Sequence, residues 1–202
     1  MIACVMVFTL TIPIMATSVQ PRIDFAVSIK IVAFEGDGIL SSVGYGGHVF
    51  LIVTNRLNYE ITIGHFPVGA GESITIGTFG DRSAHTGIWY NIEGCLGVLS
   101  DCTTYALATA LTVTELKAVN NKINELDDWS ITENCSYFAV NVWNATPTSQ
   151  TVSGWNPAAV VSSIKSYDGY LTNPTLPTKS DSDIARHTSD SYVFDTSGKS
   201  AG

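Results

Sequence analysis

The feature that most constrains this chain is a run of short, alternating apolar segments in its first half, separated by turn residues. RIDFAVSIKIVAFEG places Phe25, Val27, Ile29 and Ile31 on one side, the period-two pattern of a strand with one buried face. GYGGHVFLIVTN leads through glycines into a second strand, Val49 to Val53, with His48 at its mouth. NYEITIGHF and GESITIGTF read as a third and a fourth. The turn signals are Asn55–Asn58 and Val68–Gly71, and connections this short join antiparallel neighbours. HTGIWYNIE, residues 85–93, reads as a further strand.

The pattern then changes to the helical period. Thr112 to Glu115 fits a capping box, and Leu116, Val119, Ile123 and Leu126 follow on one helix face. ENCSYFAVNVWN, residues 133–144, gives a second helix with Phe138, Ala139, Val142 and Trp143 on its buried stripe, ended by Pro147. NPAAVVSSIKSY gives a third, with Asn156 as N-cap and Pro157 in the first turn. A further short helix is expected over 103–110. The class is α+β, an antiparallel β-sheet followed by packed helices.

Three regions are expected. Residues 1–20 carry no charged side chain and end in small residues, as a signal peptide or apolar leader does. Residues 21–168 form the folded domain. Residues 169–202 are rich in Ser, Thr, Asp and Pro and read as a polar, flexible tail, in which Tyr192–Phe194 is a candidate for a short docked strand. The 45% apolar and 14% charged composition fits a packed domain. A net charge of -8 with scattered cations argues against nucleic acid as a partner. Membrane contact is expected only through an uncleaved leader.

Cys135 raises the question of chemistry. Loss of the leader removes Cys4 and leaves three cysteines. In an oxidising compartment Cys95 and Cys102 can close a short loop as a disulfide, leaving Cys135 as the odd thiol. Thr132 or Asn134 caps the helix that Cys135 opens. Free backbone amides and the positive end of the helix dipole favour a thiolate there, and the same amides can hold an oxyanion. A small core cysteine on the apolar stripe fits the same residues. His48, after Gly44, Gly46 and Gly47, is the candidate base. If the Asn55–Asn58 loop joins neighbouring strands, His65 lies opposite His48 and can orient it. His85, Asn91 and Trp89 are further candidates for orienting or cleft-lining roles. No metal-ligand spacing, phosphate loop or dinucleotide fingerprint is present, and no metal or cofactor is expected.

A strand histidine, a following strand with a polar residue, and then Asn134-Cys135-Ser136-Tyr137-Phe138-Ala139 resemble the circularly permuted NlpC/P60 branch of papain-like thiol enzymes, which includes the lecithin:retinol acyltransferase-like proteins. The resemblance implies a permuted papain-like architecture, with Cys135 as nucleophile, His48 as base and His65 as the third polar residue. The segments His48–Asn55, Thr75–Gly80, Gly87–Glu93 and Asn134–Ala139 also resemble a group of secreted Firmicutes proteins over about residues 45–145, in which a histidine precedes the GIWYN segment. Together these imply a secreted or cell-surface bacterial cysteine hydrolase acting on an amide bond of a peptide or cell-wall substrate. An acyltransferase using the same chemistry, and a non-catalytic binding module on the same scaffold, are the alternatives.

Overall fold

Strands β1 (Val27–Glu35) and β2 (Gly47–Asn55) pair antiparallel along their whole length, from Val27–Asn55 to Glu35–Gly47. The computed structural model describes residues 25–36, 46–96 and 102–199; the expected leader and Cys4 lie outside the described residues. Alternation along the two strands sorts their side chains onto two faces. Ile29, Ile31, Ala33, Val49, Leu51 and Val53 enter the main core. Val32, Phe34, Phe50 and Ile52 form a second apolar cluster with Ala106.

The third expected strand does not lie beside β2. NYEITIGHF instead breaks into β3 (Ile61–Ile63) and β4 (Phe66–Val68), a separate two-stranded sheet. The break is at Gly64, whose φ of 59° favours glycine and whose added Cβ would strike the Tyr90 hydroxyl. The neighbour of β2 is β5 (Ser73–Phe79), which pairs in turn with β6 (Gly87–Tyr90). The segment expected as a strand to residue 93 therefore ends early and turns into a short helix, α1 (Ile92–Cys95).

Residues expected to form a helix over 103–110 are instead β7 (Tyr105–Leu111), paired with the other edge of β1. The sequence YALATAL has good helix formers, but a full ladder to β1 and the burial of Ala106, Leu107 and Leu111 outweigh propensity. The C-terminal region lies along the sheet where a flexible tail was expected, and the docked strand expected at Tyr192–Phe194 is present. β8 (Leu171–Thr172) pairs with β7, β9 (Ala185–His187) with β6, and β10 (Tyr192–Phe194) with β9. Ile184, Ala185 and the polar His187 are buried, while Leu171, Val193 and Phe194 stay exposed. The strand order is β10-β9-β6-β5-β2-β1-β7-β8, antiparallel throughout.

Three longer helices complete an α+β fold. α2 (Val113–Glu125) has the expected capping box between Thr112 and Glu115. α3 (Cys135–Asn144) is capped by Asn134, and α4 (Pro157–Lys165) by Asn156 with Pro157 in the first turn. α3 packs on β1, β2 and β5, and α4 on β1, β2 and β7. Phe138, Ala139, Val142 and Trp143 of α3 are all buried, and full burial of a large apolar side chain is worth roughly 1.5–3 kcal/mol. That anchoring fixes where the N-terminus of α3 meets the sheet. No helix among the described residues is long and apolar enough to cross a membrane.

Candidate active site

The central sheet splits at one end. The ladder between β2 and β5 runs from Thr54–Ser73 to Leu51–Ile76 and stops there, although β2 begins at Gly47 and β5 continues to Phe79. On either side the sheet stays paired, β1 with β2 to Glu35–Gly47 and β5 with β6 to Phe79–Gly87. The strand ends on both sides of the split line a cleft of about 330 Å³. Gly47 and His48 come from β2, Thr78 and Phe79 from β5, Gly80 and Asp81 from the segment after it, Trp129 from the loop before α3, and Cys135 from α3 itself.

Asn134 determines how Cys135 enters. Its side-chain oxygen accepts from the amides of Ser136 and Tyr137, and its side-chain amide donates to Ile131 O and Trp155 O. One residue thus starts the helix and ties down the loops on both sides. The cap occupies two of the terminal amides; that of Cys135 has no partner among the described residues. An amide free at a helix N-terminus is chemically able to donate to an anion. Cys135 is a half-buried thiol outside any disulfide. Cys135 and His48 line the same cleft, and the sulfur is coupled electrostatically to the His48 ring and to the Val49 amide.

His48 is held from three sides. Its ring stacks on Phe50 at 5.8 Å, packs tilted on Phe79 at 4.7 Å and meets Phe34 edge-on at 6.5 Å. Its Nε2 is 3.0 Å from Oε1 of Glu93 at the start of α1. The ring nitrogen left to meet the sulfur is therefore Nδ1. Glu93 has a fully buried side chain, and its Oε2 has no hydrogen-bond partner among the described residues. A buried carboxylate of this kind requires a cation beside it, and His48 is placed to be one.

The electrostatics agree with that demand. Burial opposes charging of His48, but the charge and hydrogen bond of Cys135, followed by those of Glu93, outweigh it and push the imidazole up to about 10. Burial likewise opposes the thiolate, and His48 by charge and hydrogen bond, helped by the Val49 amide, holds Cys135 below the ordinary thiol value. Both shifts favour the charged forms of the two groups facing each other across the split. Phe79 also carries the buried guanidinium of Arg82 4.9 Å from its ring centre, and Arg82 pairs with Asp81 at 3.1 Å on the cleft wall.

Of the residues read from the sequence, Cys135 and His48 come together. His65 does not join them: it sits in the β3–β4 turn, its ring stacked on His187 at 4.6 Å. The register that would oppose it to His48 fails because β2 pairs with β5. His85 bonds Asp127 at 2.9 Å, and its carbonyl accepts from the indole of Trp89, which is fully buried and is not among the residues that line the Cys135 cleft. Asn91 adopts a left-handed conformation and bonds Asp183 O and the Thr75 amide. These are structural roles around β6.

No bond joins Cys95 to Cys102 in this structure. Cys95 is a thiol donating to Ser180 O at 3.1 Å, and the two cysteines pack against different apolar clusters. Burial and then the nearby Asp181 and Asp183 push Cys95 up to about 11, the reverse of a reactive thiol. Among the described residues, no group of three or more His, Cys, Asp or Glu side chains is arranged to hold a metal.

Glu93 is the site residue that sequence reasoning missed. Its signal is visible in IWYNIEGCL: a lone carboxylate inside an apolar run is a buried charge in need of a partner. Assigning the run to one strand hid the turn that swings Glu93 toward His48. No protein-family model, curated protein or solved structure matches this chain.

Proposed function

We propose that the protein is a secreted bacterial cysteine hydrolase that cleaves an amide bond of a peptide, with cell-wall peptides as the substrate class, on a permuted papain-like scaffold of the NlpC/P60 type. The single observation that carries this reading is the line Cys135–His48–Glu93 in an open cleft at the N-terminus of a buried helix. The chain order, strand histidine before cysteine helix, agrees with that scaffold.

The chemistry starts from the thiolate–imidazolium pair. The Cys135 sulfur attacks the acyl carbon, and the carbonyl electrons move onto oxygen, which the Cys135 amide receives. The tetrahedral intermediate collapses, the C–N bond breaks, and His48 delivers its Nδ1 proton to the leaving amine. Water then enters. His48 takes one of its protons as the hydroxyl adds to the thioester, and collapse releases the acid and regenerates the pair. Glu93 holds Nε2–H throughout, keeping the ring aimed at the sulfur and stabilising its charged form. An alcohol or amine in place of water would make the same machinery an acyltransferase.

The test uses p-nitrophenyl acetate as a minimal acyl donor, since it needs no specificity pocket. The expected result is a burst of nitrophenolate close to one equivalent per chain, with an acetyl group found by mass spectrometry on the Cys135 peptide. A protein that releases nitrophenolate no faster than its Cys135→Ser variant is not a thiol acyl-transfer enzyme.

A further inference from the structure

We infer that Gly77 is a positioning residue whose missing side chain leaves the space in which Glu93 meets His48. The inference rests on the Cys135–His48–Glu93 reading and extends it to the floor beneath the pair. Gly77 lies inside β5, between the fully buried Ile76 and Thr78. A glycine in a strand interior weakens the strand and calls for a reason.

Backbone conformation is not the reason. Gly47 and Gly87, which also lie near the site, have φ values of 97° and 155°, but Gly77 is outside the left-handed region. Space is the reason. A Cβ built on Gly77 would stand 2.3 Å from Glu93 Oε1, 3.1 Å from His48 Nε2 and 3.4 Å from Phe50 Cβ. Two of those atoms are the partners of the 3.0 Å hydrogen bond. To clear a methyl group the carboxylate oxygen must retreat by about 1 Å, which takes the bond beyond hydrogen-bonding range if the retreat is away from the ring. The retreat is into apolar surroundings, because Glu93 is buried and its other oxygen already lacks a partner.

The prediction is specific about sign. Gly77→Ala loosens the bond, Glu93→Asp alone loosens it by shortening the side chain, and the two together relieve each other. The readout is the pH at which His48 loses its proton, followed by the imidazole nitrogen shifts in histidine-labelled protein. This readout does not depend on turnover. Gly77→Ala is expected to lower the proton affinity of His48 about tenfold, one pH unit, and Glu93→Asp added to it to restore part of that loss. Unchanged titration in folded Gly77→Ala, or a double variant worse than either single one, overturns the inference. Should Gly77→Ala fail to fold, Gly77→Ala/Glu93→Ala must fold, since the methyl then has room; failure there too shows that Gly77 serves packing alone. A chain that never acylates at Cys135 sinks the functional proposal and leaves this titration result standing.

Discussion

Replacing Glu93 by Gln tests the electrostatic core of the site with almost no change of shape. The amide keeps the volume of the carboxyl group and removes its charge. In the native protein Glu93 Oε1 accepts from His48 Nε2 at 3.0 Å, with both side chains out of water. A hydrogen bond to a charged group contributes roughly 1.5–3 kcal/mol. At 1.36 kcal/mol per unit, its loss lowers the His48 pKa by about one to two units. The imidazolium, which persists to about 10 in the native protein, then deprotonates roughly one to two units lower. With only four histidines in the chain, the His48 imidazole signal is assignable by comparison with His48→Ala. A Glu93→Gln protein in which His48 titrates as before would refute the reasoning, since Glu93 would then be a bystander.

Further outcomes follow from the same geometry. Removing the imidazolium by His48→Ala takes away the main influence that lowers the Cys135 thiol and leaves only the Val49 and Ser136 hydrogen bonds against burial, so alkylation by iodoacetamide at pH 6 should fall by about tenfold or more. His65→Ala should leave that alkylation rate unchanged within about twofold while lowering the melting temperature, because its ring packs on His187 and not on His48. Asn134→Ala should cost about 1 kcal/mol as a lost cap, and it should also raise hydrogen exchange around Ile131 and Trp155, whose carbonyls it holds. His187 is buried against the Tyr90 hydroxyl and the His65 ring, and burial first of all pulls it down to about 4. Between that value and the ordinary one the unfolded chain binds a proton that the folded chain does not. Stability should therefore decline as pH falls from about 6.5 to 4, by about 2 kcal/mol after solvent screening is allowed for, and His187→Gln should flatten that part of a denaturation profile.

What the sequence discloses here divides along locality. The Thr112–Glu115 capping box, the Asn134 and Asn156 caps and the alternation in β1 are each decided within a few residues, and each was legible. That Cys135 opens the capped helix is legible for the same reason, but the cap alone does not separate a cleft thiol from a core one. Pairing between distant segments is not legible. Loop length alone puts His65 opposite His48, yet seventeen residues separate β2 from β5, and β3 and β4 are folded into that detour. YALATAL has a local preference for helix that the edge of β1 overrides. The C-terminal segment hides Ile184, Ala185 and His187 among polar residues, and only the exposed ladder of β6 explains why they dock. Glu93 combines both difficulties: its oddity is local, but its partner lies 45 positions away.

The reactivity of the site depends on the charge state of one sulfur, that of Cys135. Far-ultraviolet thiolate absorbance, taken as the difference between the native protein and its Cys135→Ser variant across pH, measures it directly. The expected result is a thiolate that persists below the ordinary thiol value of ~8.5 and is lost there when His48 is replaced by alanine. A sulfur that ionises at or above the ordinary value, with or without His48, contradicts the account.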